Sequence, residues 1–467
     1  MWGKGTKKAF SDKIKLEAGY FFVDLPPKYG YMNCIYVEKF GGASVNSAAA
    51  VRNVVSILQG EEKRRIVVVS AMGKTTNSLE KIVNLWHSEK AVNNEEFDKL
   101  LHYHLDIAEE LFTNEEAKIS CKNLIKRLIT ESREKILTLN PNDYDFLYDG
   151  MVSYGERIST SIISAYMTSI GFSHEHVFAQ DFIKTDNNFR NADIRWTQTE
   201  ETISRNLLPL LSNRSTVLTQ GFIGSTKEGY TTTLGREGSD FSAAIFAYCT
   251  NAESMTIWKD VSGLMNADPK RMKDTRKLEC VPYKEAMELA YYGASIIHPK
   301  TVKPLENKSI PLYVKSFNAP QQQGSVITDC ENPVPTVPNY IFKDNQTLLS
   351  IFPKDFSFIA EDKVSAIFDI LSSFGIKVNM MQNSALSFSV CFDKNDNLLQ
   401  ELIEALQQSY NVRYNNSLEL ITIRHYEANS LAKAIDIGLY NVLIEQKSRV
   451  TQQYLIERKA DTRKEMP

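Results

Sequence analysis

Cysteine and histidine are scarce in this chain, with six Cys and seven His among 467 residues. Cys34, Cys121, Cys249, Cys280, Cys330 and Cys391 are scattered, with no C-x-x-C pair and no histidine at ligand spacing. Metal sites and disulfide frameworks both need close, patterned ligands, so neither is expected, and a reducing cytoplasmic setting is. No apolar run approaches the roughly 20 residues that a membrane-spanning helix requires. Charge of one sign is lacking too. Lys and Arg number 54 against 57 Asp and Glu, a formal net charge of -3, and no basic block is interleaved with aromatics. A nucleic-acid partner and a membrane surface are therefore not expected, and small-molecule chemistry is. Lys4, Lys7 and Lys8 lack a following apolar h-region, so a secretion signal is not expected, and residues 1–32 read as an extension, a targeting remnant or an upstream mis-start.

What is present is the composition of a globular protein, 43% hydrophobic and 24% charged. The length predicts two or three domains. A short strand, Cys34 to Glu38, runs into Lys39-Phe40-Gly41-Gly42-Ala43-Ser44 and then a helix from about Asn46 to Leu58. Arg65 to Ser70 is a β-branched run of the kind buried on both faces of an open α/β sheet. Helical stretches fill roughly 78 to 138 and 144 to 170, and strands resume at Thr216 to Phe222 and Ser254 to Trp258. This alternation predicts a mostly parallel sheet covered by helices over residues 33–317, with its site at the carboxyl ends of the strands. Residues 318–345, with Pro320, Pro333, Pro335 and Pro338, read as a linker. From Thr347 the pattern is βαββαβ, a ferredoxin-like α+β plan, so residues 346–467 form a second domain, with too little chain left for a second complete copy.

Gly73-Lys74-Thr75 resembles the end of a P-loop, but the glycine that the motif needs five residues earlier is Val68, so Lys74 reads as a solvated loop lysine. Phosphoryl transfer asks for positioning and for positive charge where negative charge spreads. Lys39-Phe40-Gly41-Gly42 supplies an ammonium at a strand end beside two bare backbone N–H groups and a helix N-terminus. On its own such a glycine pair is more often a turn. The loop Thr231 to Asp240 gathers hydroxyls, glycines and Arg236 before a helix opening near Phe241. Anion binding and simple N-capping by Ser239 or Asp240 both fit it. Arg236 adds a planar fork suited to a carboxylate.

Five patches in register resemble the aspartokinases. They are Lys39 to Val45, Ser153-Tyr154-Gly155-Glu156-Arg157, Thr231 to Asp240, Trp258 to Gly263 with Ala267-Asp268-Pro269, and Tyr292-Gly293-Ala294 with His298-Pro299. The resemblance implies the amino-acid-kinase fold followed by an ACT-type regulatory domain, and transfer of the ATP γ-phosphoryl to the side-chain carboxylate of aspartate. It implies that Lys39 stabilises the moving phosphoryl and that Asp240 organises the lysine and the substrate amine. Arg236 would hold the α-carboxylate, Glu156 would face the ammonium, and Thr76 and Ser239 would contact the substrate. Gly41, Gly42 and Ser44 would line the phosphate path. Lys259, Asp260, Met265 and Lys270 would form the nucleotide side, with Mg2+ bridging the phosphates. The β-carboxylate of aspartate, with a reference pKa near 3.9, is already ionised at neutral pH, so no general base is required. His298 reads equally well as a packed residue beside Pro299, and Glu156 as half of a surface salt bridge.

Three positions depart from the family. Ala43 stands where threonine is common, Ser295 where many relatives have lysine near the nucleotide, and Met265 where tyrosine is frequent. Paired ACT units imply a homodimer or larger oligomer and an amino-acid effector. Asn379 and Lys377 occupy the strand where lysine-sensitive members carry an aspartate, so weak lysine response, a neutral ligand, or a dimerisation role is expected. Competing readings are a related kinase acting on glutamate, acetylglutamate, carbamate or UMP, and a non-catalytic amino-acid sensor on a decayed kinase domain.

Overall fold

The computed structural model describes residues 34–61, 63–213, 216–294, 297–330, 337–355 and 357–459. The expected extension, residues 1–32, and Ser295 lie outside the described residues. The first half of the chain supplies β1 (Ile35–Phe40), β2 (Arg64–Val69), β3 (Glu175–His176), β4 (Thr216–Gln220), the hairpin β5 (Ile223–Ser225) and β6 (Thr231–Thr233), and β7 (Ser254–Lys259). A small ladder of β8 (Leu264–Met265) and β9 (Lys277–Leu278) precedes β10 (Cys280–Pro282), β11 (Leu312–Ser316) and β12 (Ser325–Thr328). Eight of these form one sheet in the order β10-β12-β11-β7-β1-β2-β4-β3, parallel at every pair but β11 with β12. The expected mostly parallel sheet is therefore present.

Period-two alternation sorts its side chains onto two covered faces. Phe40, Val67, Val69, Leu218 and Trp258 pack under α1 (Ala48–Gln59), α2 (Thr75–Glu89), α3 (Asn94–Leu111), α4 (Glu115–Thr138) and α5 (Tyr144–Ser169). On the opposite face lie α6 (Ala179–Phe182), α7 (Trp196–Thr202), α8 (Leu208–Asn213), α9 (Gly238–Thr250), α10 (Tyr283–Tyr292) and α11 (Pro299–Asn307). Val37, Ile66, Val68, Val217, Met255 and Ile257 pack there. Each such burial contributes about 1.5–3 kcal/mol. Helix α1 shows the local logic: Ser47 caps it by accepting from the Ala50 N–H at 3.2 Å, and Val51, Val54, Val55 and Leu58 form its buried stripe. Lys39 shares a strand face with Val37, so it points toward α9. That placement decides the site.

The second half forms an antiparallel sheet of six strands in the order β14-β15-β13-β16-β18-β17. Its strands are β13 (Asn339–Pro353), β14 (Val378–Asn383), β15 (Phe388–Asp393), β16 (Tyr410–Arg424), β17 (Tyr440–Lys447) and β18 (Thr451–Arg458), with α12 (Glu361–Ser373), α13 (Asp396–Gln407) and α14 (Ser430–Ala434). The expected βαββαβ unit is seen from the later part of β13 to the earlier part of β16. Register shifts between Lys343 and Gln346 and between Gln346 and Leu348 interrupt the long β13–β16 pair. Before the first shift, Asn339 to Lys343 pairs with Leu420 to Arg424, which pairs with β18 and then β17. Two expectations need correction. The stretch read as a linker contains β12, a strand of the large sheet, and the start of β13. The second repeat is less truncated than expected, because one of its strands comes from before the first repeat rather than after it.

Arg424 of β16 joins the two sheets' domains, reaching Glu285 of α10 at 2.9 and 2.7 Å and Glu288 at 3.0 Å. Arg271 pairs with Asp344 at 2.8 Å and also with Glu419. Cys280 and Cys330 form a disulfide, against expectation. They lie 50 residues apart in sequence, and only the β10–β12 pairing brings them together.

Candidate active site

The loops after β1, β2 and β4 are knit at the carboxyl ends of the strands. Ser70 N–H donates to Phe40 O at 3.1 Å, Gly73 N–H to Gly42 O at 3.1 Å, and Gly221 N–H to Val69 O at 3.0 Å. A Cβ at Gly42 would stand 2.8 Å from Ala71 O, so only glycine lets these loops approach so closely. Between them and the start of α9 opens a cavity of about 570 Å3, a volume suited to small ligands. Lys39, Gly42, Thr76, Glu156, Arg236, Ser239, Asp240 and Lys259 all line it.

Lys39 Nζ lies 2.6 Å from Asp240 Oδ1, and both side chains are almost fully buried. The contact is an ion pair, and among the described residues Lys39 is the one close partner of that oxygen. Lys259 Nζ stands 3.9 Å from the other oxygen, Asp240 Oδ2. Helix α9 begins at Gly238, so Ser239 and Asp240 occupy its first turn and are not N-caps. Glu237 takes the cap position in a left-handed backbone (φ 55°) without a side-chain capping bond. An acidic residue in that first turn complements the helix dipole and leaves Asp240 anchored beside Lys39.

Glu156 projects from α5, 2% exposed. Its Oε1 accepts from Ala71 N–H at 3.4 Å, and among the described residues its Oε2 has no partner. It is buried, and among the described residues no lysine pairs with it, so the surface salt-bridge reading is corrected. Burial pushes its carboxyl up to about 8, partly offset by hydrogen bonds and by the charge of Lys39. A buried acid with an open lobe in a cavity is set to receive a cation. Arg236 is exposed and lines the cavity from the loop before α9, and none of the lining residues is a histidine. His298 instead caps α11, its Nδ1 accepting from Lys300 N–H at 3.2 Å.

Comparison with known proteins agrees with this geometry. The family model described as "Amino acid kinase family" matches residues 35–316. Lysine-sensitive aspartokinase 3 of Escherichia coli (strain K12) is 30% identical over 419 residues, which cover 87% of this chain and 90% of that protein. The chain belongs to the aspartokinases of the amino acid kinase family. Chloroplastic aspartokinase 2 of Arabidopsis thaliana is 33% identical over 80% of this chain and 69% of its own length. Crystal structures of E. coli aspartokinase III superpose with a TM-score of 0.74, one in complex with lysine and aspartate and one with aspartate and ADP. They are 26% and 27% identical to this chain, cover 90% of it, and are themselves covered to 95% and 96%.

Not every residue suggested by the aspartokinase resemblance reaches the cavity. Gly41 and Ser44 sit behind it, the Ser44 hydroxyl donating to Gly41 O at 2.6 Å to close the turn. Asp260 and Lys270 are exposed on the loops after β7 and β8, and Met265 pairs with Lys277 in the small ladder. None of these five lines the cavity, and neither does Lys74. Conversely, Ser70, Gly73, Tyr148, Arg190, Phe222 and Glu237 do line it and were not foreseen. Phe222 and Arg190 adopt left-handed backbone (φ 71° and 66°), conformations that side-chain identity alone does not announce.

Proposed function

We propose that this cavity transfers the γ-phosphoryl of ATP to the β-carboxylate of L-aspartate, giving 4-phospho-L-aspartate and ADP. The observation that carries the reading is one cavity holding the Lys39–Asp240 ion pair at one place and Glu156 with Arg236 at others, with no histidine in its wall. Glu156 and Arg236 suit the ammonium and α-carboxylate of a zwitterion, with Thr76 and Ser239 supplying hydroxyls. Lys39 and Lys259 offer positive charge to the moving phosphoryl group, and Asp240 holds Lys39 in place. The acceptor is already an anion, so the missing base is no obstacle.

Among the described residues no cluster of three His, Cys, Asp or Glu could hold a metal ion. A Mg2+ bound with the nucleotide would supply charge neutralisation at its phosphates, with Asp240 and Glu237 the carboxylates of the cavity wall that would face it. Asp260, Met265 and Lys270 stay our candidates for the outer nucleotide contacts, together with Gly41 and Ser44 behind the phosphate loop. A homodimer through the antiparallel sheet, a cytoplasmic location and service to lysine and threonine synthesis complete the reading. The test is a panel of acceptors assayed by ADP release: aspartate, glutamate, N-acetylglutamate, carbamate and UMP. Aspartate should be preferred by at least about 100-fold, since the wrong spacing leaves buried polar groups unpaired. Preference for any other acceptor would overturn the assignment.

A further inference from the structure

Asp149 lies on α5 two helical turns before Glu156 and is 0% exposed. Its carboxylate accepts from two segments that are distant in sequence. Oδ2 receives the Arg190 N–H at 2.9 Å and the Thr233 N–H at 2.8 Å, while Oδ1 receives the Thr233 hydroxyl at 2.6 Å. Thr233 is the last residue of β6, immediately before the loop that carries Arg236. Ala192 N–H also donates to Thr233 O at 3.0 Å, and a Cβ at Gly235 would meet Asn191 Oδ1 at 2.8 Å. The segment around Arg190 and the loop around Arg236 are therefore stacked on each other, and both hang from Asp149.

Burying a carboxylate without an ion-pair contact is costly, and here burial pushes Asp149 up to about 6 despite its three bonds. Arg190 does not neutralise it by contact: that guanidinium lies over the rings of Tyr144 and Tyr148 and pairs with Asp145 at 3.2 Å. A buried acceptor for one hydroxyl and two backbone N–H groups serves to fix where those groups sit.

We propose that Asp149 is a positioning residue that sets the separation between Glu156, on its own helix, and Arg236, on the loop it holds, and so sets the fit of the cavity to the amino-acid substrate. The inference rests on the reading of Glu156 and Arg236 as the two ends of the substrate grip. Asp149 touches neither substrate nor the reacting atoms; it acts through the two elements it ties together.

The test is steady-state kinetics on Asp149→Ala, Asp149→Asn, Thr233→Val and Arg236→Ala, with KM measured separately for aspartate and ATP. Asp149→Ala should raise KM for aspartate about tenfold or more, because small misplacements of a grip are expensive, and should leave KM for ATP within about twofold. Asp149→Asn is the rescue: its amide oxygen can take both backbone N–H groups while its NH2 donates to the Thr233 hydroxyl. Its KM for aspartate should stay within about threefold of wild type. Thr233→Val removes one bond and keeps the backbone pair, so it should raise KM for aspartate several-fold even if Asp149→Ala fails to fold. A merely structural role would move both KM values together, or would lower the folded fraction with no KM change, and either result overturns the inference. If Arg236→Ala raises KM for aspartate while Asp149→Ala and Thr233→Val do not, this inference alone falls. If Arg236→Ala changes nothing, the grip reading and this inference fall together.

Discussion

Replacing Glu156 by glutamine isolates the least usual electrostatic feature of the cavity. Burial holds the Glu156 carboxyl at about 8, against 4.5 for an ordinary glutamate. That difference corresponds to about 5 kcal/mol favouring the neutral acid. An ammonium arriving at about 4 Å in a medium of effective dielectric near 20 returns about 4 kcal/mol to the charged form. The two magnitudes nearly cancel, so aspartate should bind with Glu156 ionised and should expel its proton. At pH 7 only about one free molecule in ten carries the charge, so KM for aspartate should fall roughly tenfold per unit from pH 6 toward 8 and flatten above it. The same shift bears on stability. The folded protein holds this proton more tightly than the unfolded chain, so stability is greatest below the unfolded value and declines as pH rises toward 8. In Glu156→Gln the KM slope should vanish, leaving a KM for aspartate that is high and independent of pH, while the stability slope should lose only the Glu156 contribution and keep that of Asp149, which burial also pushes up. The assays are KM profiles from pH 6 to 9 and calorimetric titration in buffers of differing ionisation enthalpy, which counts the proton released. A flat wild-type profile, or an equal slope in Glu156→Gln, would refute the reasoning.

Lysine should inhibit weakly. Asn379 is already engaged by Lys343 Nζ at 2.8 Å and by Gln346 and Asp393 at 2.8 and 3.1 Å, and Lys377 adds positive charge next to it; strong inhibition by lysine in steady-state assays would contradict this. After air oxidation, alkylation without reductant followed by peptide mass spectrometry should find Cys280 and Cys330 linked and should label Cys34, Cys121, Cys249 and Cys391 on unfolding, whereas a reducing cytoplasm would hold the pair as thiols; alkylated Cys280 and Cys330 after oxidation would refute the bridge. Arg424→Ala removes one partner of Glu285, which keeps His425 at 3.2 Å, and the partner of the partly exposed Glu288, and should cost about 1–3 kcal/mol by chemical denaturation; no measurable loss would count against a clamp at the junction of the two sheets.

The parts of the fold legible in sequence were those whose signal is local. Lys39 and the glycine pair stand at a strand end, and Arg65 to Val69 announces a fully buried strand by its β-branched run. The first ACT-type unit was readable for the same reason, since its strands and helices follow one another in order. What escaped was what only topology brings together. Asp149, Arg190 and Phe222 come from three separate segments, and nothing local in the sequence ties them to one another. The strand Asn339 to Lys343 belongs to a repeat whose other strands come some eighty residues later, and it directly follows Pro333, Pro335 and Pro338, so the stretch reads as a tether. Ser325 to Thr328 is simply too short for a period to show. The missed disulfide has the same cause, two edge positions made neighbours by β10 and β12. The helix expected to open near Phe241 begins three residues sooner, at Gly238, because Glu237 adopts the left-handed cap, which puts Ser239 and Asp240 inside the first turn.

Formation of aspartyl hydroxamate from ATP, aspartate and hydroxylamine reports the acyl phosphate itself, and comparing wild type with Lys39→Ala tests the central claim most directly. Wild type should give hydroxamate that depends on both ATP and aspartate. Lys39→Ala should lose at least about 100-fold in kcat, as expected for removing a charge aimed at the moving phosphoryl group, with a far smaller change in KM for aspartate. No hydroxamate from wild type, or an undiminished signal from Lys39→Ala, would contradict it.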